Sequence, residues 1–134
     1  MAKILKIHHI GIAVKNSEES SAFWQNALGL AVDHTENVVA QKSKVTFLPV
    51  GQSEVELVQP TDEDSTIAKF LTDRGPGIHH ICLQVDDIEG MLQTLQEKGI
   101  RLINSVPMEE PGRKMAFIHP KSTGGVLVEL YQVV

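Results

Sequence analysis

The stretch KIHHIGIAV at residues 6–14 decides the fold, because it recurs as GIHHICLQV at residues 77–85. A second pair closes each half of the chain, VELVQ at residues 55–59 and VELYQ at residues 128–132. Each first stretch is followed by an amphipathic segment that ends in Gly. Recurrence in the same order indicates an internal repeat, so we infer two similar modules.

The first module has the pattern of a strand, a helix and three further strands. Apolar residues alternate from Ile7 to Val14, which is typical of a strand. Asn16 is expected to cap a helix that ends at Gly29. The other strands of this module are predicted at Leu30–Val39, Lys44–Val50 and Glu54–Gln59. The first module, residues 6–59, is therefore predicted as β-α-β-β-β.

The second module, residues 78–134, repeats this order after a connector at residues 60–77. The connector is polar at first and then predicts a short helix at Thr66–Arg74. Asp86 or Asp87 is expected to cap the second module's helix. Its strands are predicted at Ile78–Val85, Ile100–Ser105, Arg113–His119 and Val126–Val133. The predicted fold class is α+β, with both modules in a single domain over residues 1–134.

Composition limits the possible partners. The chain has 134 residues and a formal net charge of −5, with no run of Lys or Arg, which argues against nucleic acid or an anionic membrane as partner. Cys82 is the only cysteine, which excludes an intramolecular disulfide and fits a reducing compartment. The chain starts without the apolar run of a signal peptide, so a cytoplasmic location is expected.

Four polar residues recur at matching positions of the two modules, namely His9, His80, Glu56 and Glu129. If the modules pack about a pseudo-two-fold axis, two imidazoles and two carboxylates face one another. That donor set suits one divalent ion such as Zn, Co, Ni or Mn, and is too rich in nitrogen for a typical Ca site. The sequence therefore predicts a metal site with room for a substrate oxygen.

Strand alternation selects His9 and His80 over the histidines before them. His9 shares its face with Gly11 and Ala13, whereas His8 lies among the isoleucines. A single strand histidine is more often a hydrogen-bonded core residue than a ligand. Random divergence of the two repeats, however, gives no reason for a His and a Glu to be kept at matching positions of both modules. We interpret Cys82 as a small buried hydrophobe.

Four motifs resemble those of the methylmalonyl-CoA epimerase family, within the vicinal oxygen chelate, or glyoxalase-fold, superfamily. They are HIGIAV at residues 9–14, GIHHIC at 77–82, VDDI at 85–88 and, most specifically, HPKSTGGVLVEL at 119–130. The resemblance covers nearly the whole chain. It implies a cupped, incomplete eight-stranded barrel, a homodimer, and one divalent metal ion bound by His9, Glu56, His80 and Glu129.

The resemblance also implies inversion of C2 of methylmalonyl-CoA through an enolate, whose negative charge the metal ion stabilises. Inversion requires acid/base groups on both sides of the carbon. Glu129 is the first candidate and Glu56 the second. Some epimerases place a second catalytic Glu where this chain has Thr46, so a water molecule relayed by Thr46 is a weaker option.

The penultimate loop predicts a substrate contact. Lys121 and Ser122 are candidates to bind the phosphates or the acyl carboxylate of an acyl-CoA substrate. A solvated turn is the alternative interpretation of this loop.

Other functions of the same fold stay open. Glyoxalase I (lactoylglutathione lyase) uses a similar metal set and suits Glu56, although glyoxalases tend to have an Asp-Pro-Asp-Gly turn where PKSTGG stands at residues 120–125. An extradiol dioxygenase binds Fe(II) and needs no ligand at Glu56. A non-catalytic drug-binding protein of this fold generally lacks the metal ligands.

Overall fold

The computed structural model describes residues 1–134. Its strands are β1 (Ile4–Ala13), β2 (His34–Val38), β3 (Ser43–Val50), β4 (Ser53–Pro60), β5 (Gly77–Val85), β6 (Met108–Glu110), β7 (Arg113–Ile118) and β8 (Leu127–Val133). Its helices are α1 (Ser17–Ser21), which continues as a π-helical segment at Ala22–Ala27, α2 (Thr66–Arg74) and α3 (Ile88–Glu97). Single 3₁₀ turns occupy Val39–Gln41 and Pro120–Ser122. No helix is both long and apolar enough to cross a membrane.

The predicted order β-α-β-β-β is found in both modules. The first module runs β1-α1-β2-β3-β4, the second runs β5-α3-β6-β7-β8, and α2 lies in the connector. Residue contacts group the chain into two compact units that do not coincide with the modules. One unit contains residues 1–9 and 80–134, and the other contains residues 10–79. The first half of β1 therefore belongs to the same compact unit as most of the second module.

The first unit contains residues 4–9 of β1, residues 80–85 of β5 and the strands β8, β7 and β6, in the strand order β1-β5-β8-β7-β6. Strands β5 and β8 are parallel, whereas β8, β7 and β6 are antiparallel. Helix α3 packs on this sheet through Ile88 and Leu92, against the buried side chains of Val85, Ala116 and Leu130. The burial of these apolar side chains is the main stabilising contribution of this unit.

The start of α3 is held by two side chains. Asp87 caps the helix by accepting a hydrogen bond from the backbone N–H of Gly90 at 3.1 Å, and Gln132 on β8 accepts one from the backbone N–H of Ile88 at 2.8 Å. The prediction that Asp86 or Asp87 caps this helix is therefore confirmed, with Asp87 as the cap. These bonds satisfy N–H groups that a helix start otherwise leaves without a partner.

The second unit holds the antiparallel strands β2, β3 and β4. Its α1 start repeats the arrangement at α3. Asn16 accepts hydrogen bonds from the backbone N–H groups of Glu18 and Glu19, and Gln59 on β4 accepts one from the N–H of Ser17 at 2.8 Å. The glutamine at the end of each VEL-x-Q repeat thus ties a strand to the helix of its own module.

Two apolar clusters cover opposite faces of β3 and β4. Leu48 and Leu57 pack with Trp24 of the π-helical segment, whereas Val45 and Val58 pack with Ile67 of α2. Residues paired across two antiparallel strands share a face. Thr46 pairs with Leu57, and Phe47 pairs with Glu56. Thr46 and Glu56 therefore lie on opposite faces of the sheet.

Two predicted strands differ from the structure. The strand predicted at Ile100–Ser105 is wrong, because only Leu102 forms an isolated bridge there, to Ile118. The second strand of this module is instead β6, which lies in the segment predicted as a loop. The side-chain oxygen of Asn104 accepts a hydrogen bond from the backbone N–H of Phe117 at 3.0 Å. In a regular sheet a backbone carbonyl of the neighbouring strand would accept that hydrogen bond. The strand predicted at Leu30–Val39 begins only at His34.

Candidate metal centre

Three of the predicted ligands converge in the first unit: His9 on β1, His80 on β5 and Glu129 on β8. The Nε2 atoms of the two histidines lie 3.0 Å apart, and each lies 3.3 Å from Oε1 of Glu129. The three residues are 4%, 8% and 6% exposed, respectively. Three donor atoms thus meet at one buried point.

The spacing of these donor atoms fits a single divalent ion. Ligands bound at about 2.1 Å lie about 3.0 Å apart when their bonds to the ion form a right angle, and about 3.4 Å apart in a tetrahedron. The measured distances of 3.0 and 3.3 Å fall within this range. Two imidazole nitrogens and a carboxylate oxygen suit Zn, Co, Ni or Mn.

The surroundings of Glu129 keep its carboxylate ionised. Burial alone raises the pKa of this carboxyl group, but in the metal-free chain hydrogen bonds from His80 and His9, with the positive charge that these rings carry when protonated, outweigh burial and lower the pKa to about 2. Glu129 is therefore a carboxylate at neutral pH, which is the state that binds a metal ion.

Two side chains flank Glu129 across its neighbouring strands. Cys82 pairs with it on β5 and is fully buried, with its thiol within 4.8 Å of a ring nitrogen of His8 and of His9. Phe117 pairs with it on β7, and its ring lies edge-on to that of His80, with the centroids 6.3 Å apart. A thiol and an aromatic ring of low polarity thus border the carboxylate and strengthen its electrostatic interactions.

His8 also belongs to this centre, although the sequence pattern placed it on the other face of the strand. Its Nδ1 lies 2.8 Å from Nδ1 of His9. Its ring stacks on Tyr131 of β8, with a centroid distance of 4.2 Å and an interplanar angle of 23°. Alternation along one strand carries no information about such a contact. The only trace of it in the sequence is the His-His doublet.

Glu56 and Thr46 lie in the second unit. Glu56 is 8% exposed on β4, and its role as fourth ligand stays a prediction. Thr46 lines a cavity of about 300 Å³ together with Ser17 and Ser21 of α1. Because Thr46 and Glu56 point to opposite faces of the sheet, the weaker option of a water relay through Thr46 gains no support.

The predicted substrate loop forms the 3₁₀ turn at Pro120–Ser122. The hydroxyl oxygen of Ser122 accepts a hydrogen bond from the backbone N–H of Arg101 at 2.9 Å, so this side chain holds the turn in place. The Lys121 side chain is exposed. Burial and the positive charges of Arg101 and Lys121 lower the pKa of His119. Two positively charged side chains, Arg101 and Lys121, therefore lie near His119.

Comparisons with known proteins agree with this structure. Residues 8–117 match the family described as the Glyoxalase/Bleomycin resistance protein/Dioxygenase superfamily. The mitochondrial methylmalonyl-CoA epimerase of Homo sapiens is 39% identical over 129 residues, which are 95% of this chain and 73% of that protein. The ethylmalonyl-CoA/methylmalonyl-CoA epimerase of Cereibacter sphaeroides is 37% identical over 135 residues, covering 96% of this chain and 98% of that protein.

Solved structures are similar as well. A variant of the Streptomyces coelicolor methylmalonyl-CoA epimerase, in complex with 2-nitronate-propionyl-CoA, has a TM-score of 0.91 and is 31% identical, covering 98% of this chain and 96% of that one. The predicted fold class is thereby confirmed. This chain belongs to the Glyoxalase/Bleomycin resistance protein/Dioxygenase superfamily, and its expected resemblance to the methylmalonyl-CoA epimerases within it is confirmed.

Proposed function

We propose that this chain is a metal-dependent epimerase that inverts C2 of methylmalonyl-CoA through an enolate. The observation that carries the proposal is the convergence of His9, His80 and Glu129 at distances that suit one ion, in a chain similar over nearly its whole length to epimerases of that name. A solved relative in complex with an acyl-CoA supports a substrate of this class.

The substrate sets the chemical requirement. The C2 hydrogen of methylmalonyl-CoA lies between a thioester and a carboxylate, so its removal places negative charge on oxygen. A divalent ion held by His9, His80 and Glu129 supplies positive charge beside those oxygens when it is bound. The identity of that ion, among Zn, Co, Ni and Mn, belongs to the proposal.

The chain's own residues prepare the site for this chemistry. Glu129 is ionised at neutral pH, and we assign one of its oxygens as a ligand and the second as the acceptor of the C2 proton. Phe117 and Cys82 border it with atoms that offer little competing solvation. Glu129 thus acts both as ligand and as one acid/base group.

Glu56 is proposed as the fourth ligand and as the second acid/base group, and the variant Glu56→Gln tests this assignment. Gln keeps an oxygen ligand but cannot take a proton. If Glu56 is the second base, E56Q still exchanges the C2 hydrogen of one epimer with solvent and loses inversion. If E56Q inverts the substrate at the wild-type rate, another group is the second base.

Lys121 is proposed to bind a phosphate or carboxylate of the acyl-CoA, because its side chain is exposed and Arg101 adds a second positive charge near the same turn. Lys121→Ala is expected to raise KM by about tenfold, the effect of one charge-assisted contact, with little change in kcat. The exposed Lys98 supplies the matched control, Lys98→Ala. Equal KM values in the two variants would show that Lys121 makes no substrate contact.

The decisive experiment follows deuterium incorporation at C2 of methylmalonyl-CoA in D₂O by NMR. Protein freed of metal is compared with protein loaded with cobalt. Exchange and loss of stereochemistry only in the loaded protein would establish the proposal. If the loaded protein exchanges nothing, the epimerase assignment is wrong, and glutathione hemithioacetal becomes the next substrate to test.

Two further properties accompany the proposal. A homodimer is expected from the family resemblance, and light scattering of the purified protein measures it directly. The cytoplasmic location expected from the sequence stays a prediction, which imaging of a tagged chain would test.

A further inference from the structure

The contact between His8 and His9 has a direct bearing on metal binding. Two Nδ1 atoms 2.8 Å apart share one hydrogen bond, so one ring nitrogen carries the proton and the other accepts it. Nε2 of His9 meanwhile points at His80 and Glu129. Both nitrogens of His9 therefore have a defined direction.

Only one arrangement of this hydrogen bond allows His9 to bind a metal ion. A neutral imidazole carries its single proton on one nitrogen, and the ligand nitrogen must carry none. If Nε2 of His9 binds the ion, its proton lies on Nδ1 and must be accepted by His8. In the opposite arrangement His8 donates, the proton of His9 lies on Nε2, and the ligand position is blocked.

Tyr131 fixes the ring of His8 in the required place. The two rings stack at 4.2 Å, and Tyr131 follows Glu129 by two positions on β8. The strand that supplies a carboxylate ligand thus also supplies the aromatic surface beneath His8. Both are placed by the same backbone, so the acceptor nitrogen and the carboxylate are positioned together.

We propose that His8 is a positioning residue, whose Nδ1 accepts the Nδ1–H of His9 and so holds His9 in the tautomer and orientation that bind the metal ion. This inference rests on the proposed metal centre and deepens it. Partners of this kind orient ligands and raise their basicity, and their removal typically costs about 10- to 100-fold in metal affinity.

Two substitutions separate the acceptor from the stacked ring. His8→Phe keeps an aromatic ring on Tyr131 but offers no acceptor, whereas His8→Asn places an amide oxygen near the position of Nδ1 and gives up the stacking. The matched control is His34→Phe, which removes an exposed histidine from the second unit. Zinc dissociation constants are measured by competition with a chelator, and circular dichroism checks that each variant folds.

We expect H8F to bind zinc about 10- to 100-fold more weakly than wild type, H8N to regain most of that loss, and H34F to match wild type. A second measurement needs no variant: long-range ¹H–¹⁵N NMR of the zinc-loaded wild type identifies which nitrogen of His8 carries the proton. The inference predicts Nε2, because Nδ1 of His8 must be free to accept the bond from His9.

Three results would overturn the inference alone: an H8F affinity within about twofold of wild type, an H8N affinity as weak as that of H8F, or a proton on Nδ1 of His8 in the loaded protein. A wild-type protein that binds no zinc, cobalt, nickel or manganese would refute the proposed metal centre and the inference together. The two failures are therefore distinguishable.

Discussion

Glu129→Gln should remove a pH-dependent part of the free energy of unfolding of the metal-free protein. The carboxyl of Glu129 has a pKa of about 2 in the folded chain, against a usual value of 4.5. A depressed folded pKa stabilises the fold above the usual pKa, and this stabilisation is lost as the pH falls through the folded pKa. Each pKa unit corresponds to about 1.4 kcal/mol, so the full contribution near neutral pH is about 3 kcal/mol.

The magnitude at lower pH follows from the same two values. Between about pH 7 and about pH 3, protonation in the unfolded chain removes about 2 kcal/mol of this contribution. Wild type should therefore lose about 2 kcal/mol more than E129Q over this range, whereas Glu63→Gln, an exposed acid in the connector, should behave as wild type.

Urea unfolding with a chelator present measures this difference, because bound metal would add its own stabilisation. Parallel pH curves for wild type and E129Q would refute the reasoning. They would mean that the hydrogen bonds from His9 and His80 do not hold the pKa of Glu129 down.

Three further substitutions test the architecture around the site. Leu130→Ala should destabilise the chain by about 2–5 kcal/mol, because Leu130 is 2% exposed in the core beneath α3; the urea midpoint measures this. Asn16→Ala should cost about 1 kcal/mol through loss of the α1 cap, whereas the same change at the exposed Asn26 should cost less. Thr46→Glu should lower Tm without raising the C2 exchange rate, because it buries a carboxylate on the face opposite Glu56; faster exchange in this variant would contradict the strand register.

Local sequence signals predicted the elements that local interactions define. The bounds of α2, Thr66–Arg74, were predicted correctly because both ends carry a signal: Ser65 caps the start through the N–H of Ala68, and Gly75 ends the helix with a φ of +78°. The same applies to the caps of α1 and α3. Where a side chain satisfies the backbone within a few residues, the sequence alone is sufficient.

Two segments of the second module, residues 100–105 and β6, were predicted less well. Ile100 and Leu102 pack on the core beneath α3, and this segment forms backbone hydrogen bonds from Ile103 to Phe117 and from His119 to Arg101. Only a single bridge, between Leu102 and Ile118, results, and the Asn104 side chain takes the N–H of Phe117. The three-residue strand β6 pairs with β7 in a hairpin that turns at Pro111 and Gly112. Those two residues are a turn signal that the sequence analysis assigned to a loop.

The candidate site also contains residues that the sequence predicted and residues whose position it did not predict. The repeat identified His9, His80 and Glu129 because matching strands of a repeat come together, and the structure brings these three into one cluster. The place of Thr46 depends on the register of β3 and β4, and a shift by one residue moves a side chain to the other face. The contact of His8 with His9 depends on ring orientation, which strand periodicity does not determine.

The first nine residues share a compact unit with residues 80–134. A chain that is cut between these two segments can therefore be studied by fragment complementation. Lys3 and Asp86 join the two segments, with the Lys3 N–H bonded to the Asp86 carboxylate at 2.7 Å and the Asp86 N–H bonded to the Lys3 carbonyl at 3.2 Å. A cut in the connector would leave His9 on one fragment and the other two clustered ligands on its complement. Tight metal binding would then report reassembly of the severed chain, since neither piece alone carries the cluster.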